Sequence, residues 1–259
     1  MTDSPLHGVG VLVTRPRAQA AELINLIQDN GGNAICFPVI EIVPRDSCAV
    51  ARDAAALPTP DIALFVSRNA VAHGLAHAAA PINGATGPAT AAAIEARGQS
   101  VDILSKRGFD SESLLQEPAL QDVAGKNIRI IRGLDGRGLL AETLRERGAT
   151  VDYLSVYERR LPECSPELLA EIEAAWDDGN IHAITVMSVQ TLRNLLEMLP
   201  DRCRQGIADV PLVTPAARVI KEALDLCPAA RTLLASGPQA AEMVAAIIET
   251  LRTDPGLAT

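Results

Sequence analysis

Aromatic residues are scarce: Phe, Tyr and Trp together make up 2% of the 259-residue chain, which leaves few platforms on which nucleic-acid bases could stack. Positive charge is also in short supply. With 23 Lys and Arg against 32 Asp and Glu the net charge is −9, which argues against a general binder of nucleic acid or anionic membrane. An anionic ligand would then need a local pocket of basic side chains or backbone N–H groups. No apolar run approaches the length of a membrane span, and the first ten residues have no apolar signal-peptide core; both absences predict a cytoplasmic protein. The cysteines, at 36, 48, 164, 203 and 227, are odd in number and form no CxxC pair. Neither a disulfide framework nor a zinc site is suggested, and ordinary thiols are expected. His73 and His77 stand at i, i+4 with no third ligand in view, so chance spacing on an Ala-rich helix is preferred to zinc. The dinucleotide fingerprint, the Walker loop and the GxSxG elbow are all missing.

What is present is a repeated strand–loop–helix–strand unit. From 127 to 160 the chain runs NIRIIRGLDGRGLLAETLRERGATVDYLSVYERR. An apolar run at 128–131 predicts a buried strand, and Arg132–Gly138 a glycine-rich turn. Leu139, Leu140 and Leu144 follow at helical spacing, Gly148 stops the helix, and Val151–Tyr157 reads as the next strand. Two arginines and several N–H groups at the start of a helix suit an anion. The chain opens the same way: strand Val11–Val13, Thr14, Arg15, a helix with Leu23, Leu26 and Ile27, a stop at Gly31-Gly32, then strand Ala34–Val39. Arg15 and Arg132 lie 117 positions apart, as do Gly31 and Gly148. A second repeat relates strand–Ser67–helix to strand–Ser188–helix, 121 apart, and strand–Pro88–helix to strand–Pro215–helix, 127 apart. The order persists while the offset drifts, as expected of duplication with loop insertions.

The remaining pattern alternates in the same way. Strands are expected at 61–66, 82–86, 101–104, 183–187, 210–214 and 231–235. Helices are expected at 46–58, 71–79, 90–97, 109–115, 167–176, 189–196, 216–226 and 239–251, with a frayed tail at 254–259. Alternating βα elements predict mostly parallel sheets with right-handed crossovers, in two similar α/β domains. The boundary falls either near residue 124 or at two linker strands, 39–44 and 156–162, which would make the first domain discontinuous.

In order and spacing, Val11-Leu12-Val13-Thr14-Arg15-Pro16, Phe37-Pro38-Val39-Ile40, Ser67-Arg68-Asn69-Ala70-Val71, Ala124-Gly125-Lys126, Ile131-Arg132-Gly133, Arg147-Gly148-Ala149-Thr150-Val151 and Val156-Tyr157-Glu158-Arg159 resemble the uroporphyrinogen-III synthase family. The resemblance covers nearly the whole chain. It implies two flavodoxin-like parallel-sheet domains joined by a two-stranded linker: 1–39 with 161–259, and 42–156, connected through 40–41 and 157–160. It also implies a monomeric lyase with its site between domains and no cofactor or metal. The implied substrate is the small molecule hydroxymethylbilane, a linear tetrapyrrole bearing eight carboxylates. It loses water, inverts ring D through a spiro intermediate and closes to uroporphyrinogen III. A transient contact with hydroxymethylbilane synthase, which makes this unstable substrate, fits the same picture; nucleic acid and membrane do not.

Tyr157 matches the family's cleft tyrosine and is the expected proton donor; the plainer reading is a strand-end tyrosine packed on a linker. Ser67 and Ser188, each after a strand and before a helix, are expected at a substrate carboxylate, or simply as N-caps. Thr90 matches a threonine near the cleft, and Thr14 and Thr214 end strands that point the same way. Asn69 in the cap turn and Gly87 at a strand end complete the expected binding set with Arg15, Arg132, Gly133 and Gly136. The arginines could equally form surface ion pairs, and the two glycines would let the loop backbone turn and approach ligand. Ala217 stands where some members carry threonine, and Val66 and Met187 precede Ser67 and Ser188 where threonine is common. Those departures leave room for a catalytically inactive tetrapyrrole- or anion-binding module of the same shape. A phosphoacceptor domain would need acidic residues where Thr14, Ser67 and Ser188 stand.

Overall fold

A computed structural model describes residues 4–78, 80–105, 108, 110–136 and 138–253. In chain order the elements are β1 (Gly10–Val13), α1 (Ala21–Asp29), β2 (Asn33–Cys36), β3 (Glu41–Pro44), α2 (Ser47–Ala56), β4 (Ile62–Phe65), α3 (Arg68–Gly74) and β5 (Ile82–Ala85). Next come α4 (Pro88–Glu95), β6 (Ile103–Leu104), α5 (Ser111–Leu114), β7 (Asn127–Gly133), α6 (Leu139–Glu146) and β8 (Thr150–Arg160). The chain closes with α7 (Pro166–Asp177), β9 (Ala183–Thr185), α8 (Val189–Met198), α9 (Asp201–Gln205), β10 (Leu212–Thr214), α10 (Ala217–Leu226), β11 (Thr232–Leu234) and α11 (Ala240–Thr253).

These elements form two compact units, one of Met1–Glu41 with Leu161–Thr259 and one of Ile42–Arg160. The first holds a five-stranded parallel sheet, β11-β10-β9-β1-β2. Numbered along the unit's own chain this is the order 2-1-3-4-5 of flavodoxin. The second holds a six-stranded sheet, β3-β8-β7-β4-β5-β6, in which β8 through β6 pair in parallel. Without β3, its strands occupy the same five places as those of the first sheet, with β7 for β1, β8 for β2 and β4 for β9.

The hydrogen-bond registers repeat along with the sequence. Gly10 faces Asn33 and Asn127 faces Thr150; Val13 faces Cys36 and Ile130 faces Tyr153. Val11 faces Ala183, and Ile128 faces Ile62. The offsets of 117 and 121 read from the sequence carry one ladder onto the other without a slip. Both helix stops, Gly31 and Gly148, adopt positive φ, at 83° and 86°, the left-handed turn that glycine tolerates best.

Each sheet is packed by apolar faces. In the first unit Leu23 and Ile27 of α1 and Met243, Val244 and Ile247 of α11 pack with Val11 and Val13. In the second unit alternate strand residues divide between two clusters. Ile128, Ile130 and Leu64 join Leu140 and Leu144 of α6 on one face. Ile131, Phe65 and Leu154 join Val71 of α3 and Ile94 of α4 on the other. Gly74 lets α3 approach β7, because a Cβ there would collide with Ile131 Cγ2. Gly74→Ala is expected to destabilise the protein by about 1–3 kcal/mol, despite alanine's better helix propensity. A midpoint in denaturant at or above that of the native protein would show that the contact relaxes without cost.

Several boundaries differ from the expected ones. β2 stops at Cys36 rather than running to Val39: Phe37 N–H still donates to Val13 O, at 2.9 Å, but Val39 N–H donates to Thr14 O, at 3.3 Å, one residue out of the ladder's register. β10 begins at Leu212, after Pro211. β8 runs on through 157–160 to Arg160 beside β3, so the two segments read as linkers form neighbouring strands of one sheet. The short helix α9 was not expected, since five residues that bury only Cys203 carry no readable period. The helix expected over 109–115 is confined to Ser111–Leu114, capped by Asp110, which accepts from Ser113 N. Phe109, Ala79, Arg137 and 254–259, which carried expectations for a helix start, a helix end, the glycine loop and a frayed tail, lie outside the described residues.

Candidate active site

Open α/β sheets bind ligands beyond the carboxyl ends of their strands, where the chain's direction of winding reverses. In the Ile42–Arg160 unit that place lies between β4 and β7. Ser67 follows β4, and Gly133 ends β7. Opposite Gly133 the ladder shifts register: Arg132 faces Ser155, but Gly133 faces Tyr157. The extra residue in β8 breaks the alternation, so Val156 and Tyr157 both enter the cluster beneath α3. The tyrosine ring then passes over Gly133, where a Cβ would stand 2.8 Å from Tyr157 Cε2. It reaches the far side of β7, and its Oη lies 3.1 Å from Ser67 Oγ.

Ser67 also accepts from Ala70 N at 3.1 Å, so it is both the cap of α3 and the partner of the tyrosine. Arg159, two residues past Tyr157 on an extended strand and therefore on the same side, donates from Nη2 to Tyr157 Oη at 3.3 Å. Its guanidinium carbon lies 5.7 Å from the ring centroid. Tyr157 is 1% exposed, whereas Ser67 is half-buried. Ser67→Ala removes a cap and is expected to cost about 1 kcal/mol of stability. Thermal unfolding of the variant measures this, and an unchanged midpoint would mean that the Ala70 N–H finds another acceptor.

The other nominated residues of this unit divide into two groups. Gly87 and Thr90, both buried, lie one strand further along the same edge, with Thr90 N–H donating to Gly87 O at 3.0 Å. Asn69 is half-buried in the first turn of α3, beside Ser67. Arg132 is buried, with its guanidinium 4.7 Å from the centroid of Tyr153 and its Nε donating to Gly133 O at 3.1 Å. Gly136, with φ 156°, lets the loop close over that guanidinium: a Cβ there would collide with Arg132 Nη2. The two glycines therefore leave room for Tyr157 and Arg132.

In the discontinuous unit the winding reverses between β1 and β9, and Thr14 and Ser188 follow those strands. Thr14 is wholly buried and donates to Thr185 O, while Thr185 Oγ1 donates to Leu12 O at 3.3 Å. Thr214 is likewise buried and accepts from Ala216 N at 3.3 Å. Both hydroxyls thus serve their own unit's backbone. Ser188 caps α8, accepting from Thr191 N at 3.1 Å, with Thr191 Oγ1 at 2.9 Å. Arg15 is buried and donates to Pro238 O at 2.6 Å.

Compared with known proteins, residues 21–245 match the family model described as uroporphyrinogen-III synthase HemD. The chain belongs to the uroporphyrinogen-III synthase family. It is 32% identical over 209 residues to the uroporphyrinogen-III synthase of Salmonella typhimurium, covering 76% of this chain and 82% of that one. It is 31% identical over 230 residues to that of Escherichia coli, covering 84% and 92%. The fold is shared with a solved mutant uroporphyrinogen III synthase of Thermus thermophilus, at a TM-score of 0.63 and 21% identity over 95% of this chain and all of that one.

The departures from the family's pattern also have physical explanations. Val66 packs among the apolar residues on the α6 face of its sheet, and Met187 packs against the core of the discontinuous unit. Each precedes a capping serine and is half-buried against its unit's core, where an apolar side chain adds to the packing. Burial pushes the Cys36, Cys164 and Cys203 thiols up, which keeps them protonated, and all five cysteines are free. Among the described residues no three His, Cys, Asp or Glu side chains gather into a metal site, and His77 Nε2 lies 3.2 Å from Ser47 Oγ. Burial, and secondarily Arg97, pushes His73 down. No described helix is long and apolar enough to cross a membrane.

Proposed function

We propose that this protein is a cofactor-free lyase of the cytoplasm that dehydrates and closes hydroxymethylbilane to uroporphyrinogen III, inverting ring D through a spiro intermediate. The observation that carries this reading is the Tyr157–Ser67 hydroxyl pair at the winding reversal of the Ile42–Arg160 unit. Both tyrosines of the chain, Tyr153 and Tyr157, lie in the Ile42–Arg160 unit, so the discontinuous unit does not repeat this pair. An electron-rich pyrrole expels hydroxide once a donor protonates it, and one well-placed O–H is sufficient for that step. Because unassisted closure gives the uninverted isomer, the rest of the task is to hold the chain so that this closure is prevented. Carboxylates of the substrate would be met by backbone N–H groups at helix N-termini, with little net positive charge required.

The same reading takes 1–39 with 161–259 and 42–156 as the domains, joined through 40–41 and 157–160, in a monomer that receives its substrate by transient contact with hydroxymethylbilane synthase. The test is a coupled assay in which that synthase generates hydroxymethylbilane, this protein is added, and the oxidised uroporphyrins are separated. Isomer III is expected. Isomer I alone, from folded protein, would sink the proposal and favour the binding-module reading.

A further inference from the structure

Every hydrogen-bond role in the Tyr157 cluster but one is fixed by chemistry. Arg159 can only donate, so Tyr157 Oη accepts from it. Ala70 N–H can only donate, so Ser67 Oγ accepts from it. The two hydroxyls hold two protons between them, and their mutual hydrogen bond uses one. The other proton remains available to a third partner. If Ser67 donated to Tyr157, the spare proton would be on a phenol that is 1% exposed, and the serine's positive hydrogen would be directed at an oxygen already facing a guanidinium. If Tyr157 donates to Ser67, its proton turns away from Arg159. The spare proton then sits on the half-buried serine, where a ligand can reach it. Both electrostatics and access favour the second arrangement.

We infer that Tyr157 acts through Ser67, and that Arg159 is the positioning residue that sets the direction of this relay. The inference rests on the proposed reaction and divides its proton transfer between two groups. Ser67 gives its proton to the substrate hydroxyl, the C–O bond electrons leave with water, and Ser67 takes the proton of Tyr157. Arg159 stabilises the charge left on the phenol oxygen. When the attacking pyrrole carbon loses its surplus proton to restore aromaticity, that proton returns through Ser67 to Tyr157. Water is the net loss and no oxidant or reductant takes part.

The experiment is the coupled assay on the full chain with Ser67→Ala, Tyr157→Phe, their combination, Arg159→Gln and Arg159→Lys. In one relay the two hydroxyls act as a unit, so each single variant should lose a similar factor in kcat, about 10- to 100-fold, and the combination should lose no more. Arg159→Gln should lower kcat several-fold at unchanged KM, and Arg159→Lys, which still donates, should recover most of it. Isomer III from the native protein with losses that multiply in the combination would overturn the relay alone. Unchanged kcat with raised KM in Arg159→Gln would also overturn it and make Arg159 a substrate-binding group. Isomer I alone from the native protein would overturn the functional reading and the relay with it. A folding defect in the variants would not hide the answer. The chain has two tyrosines, so in Tyr153→Phe protein the infrared C–O band of the remaining ring reports whether the phenol donates or only accepts. A band typical of an accepting phenol would overturn the proposed direction.

Discussion

Tyr157→Phe is expected to lower turnover about a hundredfold, near the lower end of what a positioned general acid contributes, while the protein stays folded. The two effects are separable because the ring remains. Phe keeps the apolar contacts beneath α3 and the passage over Gly133, and only the hydroxyl's hydrogen bonds with Ser67 and Arg159 are lost. Losing the hydroxyl of a buried tyrosine costs about 1 kcal/mol of stability, since Ser67 still caps α3 and the Arg159 guanidinium is exposed to water. Turnover of the variant in the coupled assay, beside its unfolding midpoint, tests both parts. Native-like turnover would remove Tyr157 from the chemistry and leave the plainer reading of a packed strand-end residue.

The sequence showed the sheets more clearly than the site. Strands were legible because each is a short apolar run, and helix ends because Gly31 and Gly148 mark turns that glycine alone adopts easily. The duplication was legible because the offset holds at 117 from Arg15 to Gly31, and the β1–β2 ladder recurs at that offset in β7–β8. Ser67 and Ser188 were found because a hydroxyl between a strand and a helix has only a few structural uses. The partners of Tyr157 were not legible. They depend on one extra residue in β8, and a bulge leaves no mark on the apolar pattern around Leu154, Val156 and Tyr157. Arg159 went unnoticed for that reason, although its i+2 spacing was the available signal. Thr14 and Thr214 were correctly placed at strand ends, but strand-end position does not tell which backbone group a hydroxyl meets: Thr14 bonds to the neighbouring strand at Thr185 O, and Thr214 accepts from Ala216 N two residues on.

Gly133→Val is expected to abolish measurable synthase activity and to cost about 1–3 kcal/mol of stability. The cause is steric and local. Gly133 has no positive φ to defend, and its strand backbone would accept valine readily. What cannot be accommodated is the side chain, because the first carbon beyond Cα would meet the Tyr157 ring at 2.8–3.3 Å and displace it from its path to Ser67. The effect therefore belongs to the pair. In Tyr157→Ala protein the space above residue 133 is vacated, so Gly133→Ala should cost stability beside the native tyrosine and little or nothing beside alanine. Unfolding free energies of the four proteins in this cycle give the coupling directly. Equal costs in both backgrounds would mean that the strand itself, and not the ring above it, requires glycine. Activity lost in Gly133→Ala while Tyr157 keeps its hydrogen bond to Ser67 would instead return the loop to its expected role at the substrate.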